Sequence, residues 1–251
     1  MMDLLPRLDL LARAGYGPEK VDRYLVNLGN APYECETLTL AGIPKEKILP
    51  VSAASHFRCE RIITTSLRAD HWQHTLPARV PGYLRDVTGV TVGGTSRRRR
   101  LYLTRRSASF RRVLNEEALL PVLARHGFEI FDPGTLAVVE QAKIFASAEA
   151  IISPHSSAMT NLVFCTPGTA VLEIFPADYF DVSFWTAASI AGCTYHAVVA
   201  GRPPGAAPES QIEARRQDIV LDATQLAQFT DFIQTLSRSS GTPAGTSASL
   251  P

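Results

Sequence analysis

Residues 150–175 read AIISPHSSAMTNLVFCTPGTAVLEIF, and the fold turns on how this stretch is parsed. Ile151 and Ile152 form a short apolar run, Ser153 to Ser157 a small polar turn, and Ala158 to Phe164 an apolar helical piece. Pro167-Gly168 breaks the pattern before a second β-branched run into Glu173. Strand, turn, helix, turn and strand in that order make a βαβ unit. The turn after the first strand lies at the carboxyl edge of the sheet, where the opening N–H groups of the next helix have no internal partner. Such groups favour an anion, and Ser and His side chains add donors, so the arrangement suits a phosphate. The same letters also describe an ordinary βα turn with a well-capped helix.

Outward from this unit the second half is regular. Leu101-Tyr102-Leu103 is a strand, and Asn115-Glu116-Glu117 offers an N-cap side chain and acidic first-turn residues to a helix with Leu119, Leu120 and Leu123 on its buried face. Pro121 requires that helix either to bend or to start later than Asn115. Phe128 to Phe131 is a strand closed by Asp132-Pro133-Gly134. Leu136 to Ala148 is a helix with Val138, Ala142, Phe145 and Ala148 in one stripe. A helix around Phe184 to Ala191 and a strand from Thr194 to Val199 follow. This alternation predicts a parallel sheet with helices on both faces.

The first half is less periodic. A helix is expected over Asp3 to Ala14, strands at Arg23–Asn27 and Lys47–Pro50, and a short helix at Glu34–Leu40. A strand-like run is expected at His56–Ser66, a loop at Asp70–Pro81 and a helix at Tyr83–Val90. Gly93-Gly94-Thr95-Ser96 reads as a linker between halves. Past Gly201 the composition turns to Pro, Gly, Ala and Arg, Gln225 to Leu236 is a last amphipathic helix, and Ser237 to Pro251 reads as a disordered tail.

Composition narrows the class. The chain has 251 residues, 45% hydrophobic and 20% charged, with a net charge of +1, which suits a soluble globular protein and not one that coats nucleic acid. No apolar run approaches the roughly 18 residues that span a bilayer. Asp3, Arg7 and Asp9 interrupt the first apolar pattern, so it does not read as a signal peptide, and the expected location is cytoplasmic or peripheral to the membrane. Four widely spaced cysteines suggest free thiols and no zinc site.

Eight arginines, Arg97 to Arg100, Arg105, Arg106, Arg111 and Arg112, surround the 101–103 strand. Arg105 and Arg106 follow its carboxyl end, the same edge as the His155 turn, and two or three guanidinium forks could grip a diphosphate. The aromatic interleaving of a nucleic-acid platform is missing. His155 is open to a ligand contact or a backbone partner. Ser156 and Ser157 lack the GxSxG setting of a nucleophile. Glu173, at the end of its strand, could accept from ribose hydroxyls or pair with an arginine. GxxxxGK[ST], GxGxxG and HExxH are absent, as is any Asp-any-Asp triplet, so a carboxylate-held metal on a diphosphate has no obvious ligands. Arginines and helix N-termini would have to meet that charge.

Taken together, LTRR (103–106), FRRVLNEEAL (110–119), GFEIF (127–131) and LAVVEQAKIFASAEAIISPHSSAMTNLVFCTPGTAVLEIF (136–175) closely resemble the C-terminal half of glycosyltransferase family 61, and DLLPRLDLL (3–11) resembles an N-terminal element of it. The resemblance implies an α/β, GT-B-like fold: two Rossmann-like domains with parallel sheets, the N-terminal one incomplete here. Residues 1–94 would be the acceptor-side domain, 95–205 the nucleotide-sugar domain, 206–237 a C-terminal helical region and 238–251 a tail. It implies inverting, metal-independent transfer of a sugar such as xylose, N-acetylglucosamine or arabinose from a nucleotide-diphosphate donor to a glycan or other hydroxyl acceptor, the alternative being a non-catalytic nucleotide-sugar-binding module left by N-terminal truncation. The donor is a co-substrate, and no cofactor is implied. The family's arginine before the Asn-Glu helix corresponds to Arg111 or Arg112, followed by Asn115, and its Glu-Gln pair to Glu140 and Gln141. Its His-Gly-Ala turn corresponds to His155-Ser156-Ser157-Ala158, with Thr160 and Asn161 after it. Ser156 replaces the glycine that permits close backbone approach. Asp3, or His71 or His74 in the 70–81 loop, is the candidate general base that inversion requires.

Overall fold

The computed structural model describes residues 1–29, 31–65, 77–93, 98–202 and 210–239. Its centre is a five-stranded, wholly parallel sheet in the order β4-β3-β5-β6-β7. These strands are β3 (Arg99–Leu103), β4 (Phe128–Phe131), β5 (Ala148–Pro154), β6 (Ala170–Phe175) and β7 (Thr194–Val199). Two further parallel strands, β1 (Tyr24–Val26) and β2 (Ile48–Pro50), form a separate sheet with Tyr24 opposite Ile48. The architecture is the Rossmann-like α/β class that the alternation predicts.

Strand alternation sorts the core into two layers. Leu101, Leu103, Ile151 and Val171 face one side with Phe145 of α5 (Val138–Ala146), Phe164, and Phe184 and Ala187 of α6 (Ser183–Ala191). Tyr102, Ala150, Ile152, Leu172 and Ile174 face the other with Leu123 of α4 (Leu120–Arg125) and Phe229, Phe232 and Ile233 of α8 (Ala223–Ser239). Because both faces are covered, the inner strands are near-continuous apolar runs.

The N-terminal elements join the first layer instead of building a core apart. Leu5 of α1 (Leu4–Arg13), Leu38 of α2 (Pro32–Leu40) and Leu84 of α3 (Val80–Thr88) belong to the same apolar cluster as Phe145 and Phe164. Glu36 of α2 accepts from the Val138 N–H at 2.7 Å, capping the start of α5, whose own N-cap residue, Ala137, has no side-chain acceptor.

Several expectations need correction. Residues 56–65 form no strand. Phe57, Ile62 and Ile63 are exposed, Ile62 to 74%, with no neighbouring strand to pair with. The helix expected from Tyr83 starts at Val80 and takes in Pro81, which a first turn accommodates. Asn115 caps nothing with its side chain. Glu116–Ala118 is a 3-10 turn, and α4 starts at Leu120 with Pro121 in its first turn, so no kink is needed. Ala148 opens β5 instead of closing the preceding helix. The piece after His155, Ser157–Phe164, is a 3-10 helix. Residues 94–96 of the expected linker and 240–251 of the expected tail lie outside the described residues.

Candidate active site

In the strand order, the chain leaves β3 toward β4 through α4 on one face and returns across β3 to β5 through α5 on the other. The carboxyl ends of β3 and β5 therefore flank a topological switch point, the crevice where open parallel sheets bind ligands. Thr104, Arg105 and Arg106 leave β3 there, and His155, Ser156 and Ser157 leave β5.

His155 is 6% exposed and held on every side. Its N–H donates to the Ile174 carbonyl at 2.8 Å, continuing the β5–β6 ladder by one residue. Phe175, Tyr179 and Phe184 place their rings 5.2, 5.1 and 5.1 Å from the imidazole. Nδ1 lies 2.5 Å from Glu173 Oε1, and the Tyr195 hydroxyl donates to Oε2 at 2.5 Å. Burial raises the Glu173 carboxyl above its usual range against the pull of His155 and Tyr195. Burial and then the Glu173 charge push the Tyr195 hydroxyl upward, so it stays a donor. With the Nδ1 hydrogen directed at Glu173, the neutral ring offers Nε2 as acceptor to the Tyr179 hydroxyl, 3.4 Å away, and the protonated ring has a second donor there. Glu173 thus orients His155. Its fully buried carboxylate meets neither an arginine nor open space for a ribose, which corrects both sequence expectations for it.

The four arginines after β3 divide into two kinds. Arg106 is taken by Glu116 and Glu117, and Arg112 by Asp218 at 2.5 Å. Arg105 and Arg111 are half-buried and have no carboxylate partner among the described residues. Arg105 closes its loop by donating to the Phe110 carbonyl at 2.9 Å, and both guanidiniums lie over the Phe110 ring, 5.7 and 4.9 Å from its centroid. Burial and the Arg111 charge lower the proton affinity of Arg105 to about 10. Arg111 is lowered by burial, while Tyr179, Glu173 and Asp181 draw it back up, so its charge lies within reach of the His155 cluster. Arg111 holds φ at 57°, a strained value for a side-chain-bearing residue, and its Nε is shielded from solvent with no partner.

The other sequence candidates serve the frame. Asn115 exchanges two hydrogen bonds with Leu221. Glu140 is exposed and folds back on the Ala137 N–H at 3.3 Å, within the first turn of α5. Gln141 accepts from Asn161 at 2.9 Å and donates to Leu136, so it braces α5 against the 3-10 helix after β5. Ser156 is buried and makes no cap bond, Ser157 is exposed, and Ala158 accepts from Asn161 at 3.1 Å. Asp3 precedes α1 and accepts from Arg7 at 2.8 Å. His71 and His74 lie outside the described residues. Among those described, no three His, Cys, Asp or Glu side chains gather as a metal cluster, and no helix is long and apolar enough to cross a membrane. The sequence reading missed Tyr179 and Tyr195. Tyr179 follows the carboxyl end of β6 by four residues, a position that marks it. Tyr195 needs the β6–β7 register, which puts it opposite Val171 and on the Glu173 face.

A parallel Rossmann-like sheet, with two arginines that lack carboxylate partners among the described residues and a fixed imidazole at its switch point, defines the class as a Rossmann-like α/β protein. The family model described as Glycosyltransferase 61 matches residues 1–172 of the 251, and the chain belongs to glycosyltransferase family 61. That membership indicates glycosyl transfer, with a sugar donor and an acceptor. No curated protein matches the chain.

Proposed function

We propose that the protein transfers a sugar from a nucleotide-diphosphate donor to a hydroxyl of a glycan or similar acceptor, with inversion and without a divalent cation. One observation carries this reading: Arg105 and Arg111, half-buried and without carboxylate partners among the described residues, follow β3 at the β3/β5 switch point, and Arg111 lies within electrostatic reach of Glu173, the partner of His155. Two guanidiniums in a partly dehydrated site offer a diphosphate the charge a metal would otherwise provide. The unpartnered Arg111 Nε is a donor suited to a ligand oxygen.

In the transfer, the acceptor oxygen attacks the anomeric carbon as the bond to the diphosphate oxygen breaks. The bonding pair leaves with the diphosphate, and the acceptor proton passes to a base. Arg105 and Arg111 stabilise the departing charge. His155, aligned through Nδ1, directs Nε2 toward Tyr179 and the phosphates, while Gln141 and Asn161 hold the β5 turn in place. Asp3 is the candidate base within the described residues, and Asp3→Asn should lower kcat while leaving donor Kd unchanged.

The test is calorimetric titration with nucleoside diphosphates and their sugars. Arg105→Ala and Arg111→Ala should each weaken binding about tenfold or more, since a hydrogen bond to a charged group contributes about 1.5–3 kcal/mol. Arg112→Ala, whose side chain is engaged by Asp218, should change it less. Undiminished affinity in the Arg105→Ala/Arg111→Ala double variant would falsify the reading, and activity abolished by a chelator would remove its metal-independent part.

A further inference from the structure

Residues 210–221 lie beyond the matched family region yet touch both arms of the edge. The short helix α7 (Gln211–Ala214) has its Gln211 side chain accepting from the Phe180 N–H at 3.3 Å, in the loop that carries Tyr179. One turn later the Arg215 carbonyl accepts from Arg111 Nη1 at 2.8 Å. The chain then runs beside the arginine segment. Arg112 and Leu114 pair with Ile219 in a parallel bridge at 2.8 Å each, Asp218 accepts from the Arg112 N–H, and Leu221 meets Asn115. Arg111, at φ 57°, is thus held from outside its own loop. Arg215 itself is exposed, has no carboxylate partner among the described residues, and carries its charge near Arg111 and Tyr179.

We infer that this segment completes the anion site: its backbone fixes Arg111, and the Arg215 side chain is a third cation for the distal phosphate of a diphosphate. The inference rests on the donor reading above and deepens it. Arg111 is repelled by Arg215 and repels Arg105, a repulsion that nearby carboxylates such as Glu173, Asp181 and Asp132 offset without pairing, and a group bearing several charges relieves it more than one bearing few. Arg215 therefore sets selectivity for a diphosphate over a monophosphate, whereas Arg105 and Arg111 set affinity for both.

Inorganic pyrophosphate and inorganic phosphate, titrated calorimetrically into the full chain at fixed ionic strength, separate the roles. Arg215→Gln should weaken pyrophosphate about tenfold and phosphate less than about twofold. Arg215→Lys should restore part of the loss, and Arg215→Glu should lose more. Because the side chain is exposed, unchanged melting temperatures are expected and are measured alongside. If Arg105→Ala and Arg111→Ala weaken pyrophosphate while Arg215→Gln retains the wild-type preference, this inference is overturned and the donor reading stands. If none of the three substitutions affects pyrophosphate, the donor reading itself fails.

Discussion

At the scale of single residues, Glu173 is the most informative side chain. Its folded-state proton affinity is raised, so as pH climbs past about 4.3 the unfolded carboxyl ionises first and the native state loses stability until its own higher value is passed. Glu173→Gln removes that dependence. The variant's stability relative to wild type should rise between pH 4 and pH 7 in urea titrations, while its diphosphate affinity falls as His155 loses its anchor. A difference from wild type that stayed flat over that range would show that the carboxylate ionises at no cost in the fold. His155 and the cations near it were legible in sequence, because a polar turn after a β-branched run and arginines after a strand are local patterns. Which arginines stay unpaired was not. Arg106 and Arg112 are removed from service by Glu116 and by Asp218, and the second of these stands 106 residues away.

At the scale of elements, the exchange between α2 and α5 shows how the N-terminal half serves the edge. Glu36 places a side-chain acceptor on the first N–H of α5, the helix whose Gln141 accepts from Asn161 and so braces the 3-10 helix after β5. Glu36→Ala should cost about 1 kcal/mol in chemical denaturation and Glu36→Asp less, and a loss within 0.2 kcal/mol would mean that water replaces the cap. Periodicity located most helices and all seven strands, since apolar spacing is a local property. It failed at residues 56–65, where a β-like composition finds no strand to pair with. It failed also at Asn115, whose capping side chain is drawn away by Leu221. Strand-forming letters create a strand only when a neighbour supplies the other half of the ladder.

Across the whole molecule, the shared cluster that runs from Leu5 and Leu38 through Leu101 to Phe164 leaves no weak plane between the N-terminal elements and the large sheet. Thermal unfolding followed by far-UV circular dichroism and by tryptophan fluorescence should give one coincident transition, and two separated midpoints would show independently folding halves. The junction of α1 and α3 adds an acid-sensitive point. Burial pushes the Asp9 carboxyl up, but hydrogen bonds from Arg79 at 2.7 Å and Arg13 at 2.8 Å outweigh it and leave it lowered. Its contribution is complete above about pH 4 and is lost as pH falls below that value. Asp9→Asn should therefore cost about 2 kcal/mol at neutral pH and narrow its deficit in acid, measured by urea midpoints at pH 7 and pH 3. Parallel pairing of Val113 with Ile219 has one more consequence, in time. The contact that holds Arg111 joins residues 104 apart, and Arg215 lies beyond β7 in the sequence, so the brace closes only once every residue of the five-stranded sheet has been made.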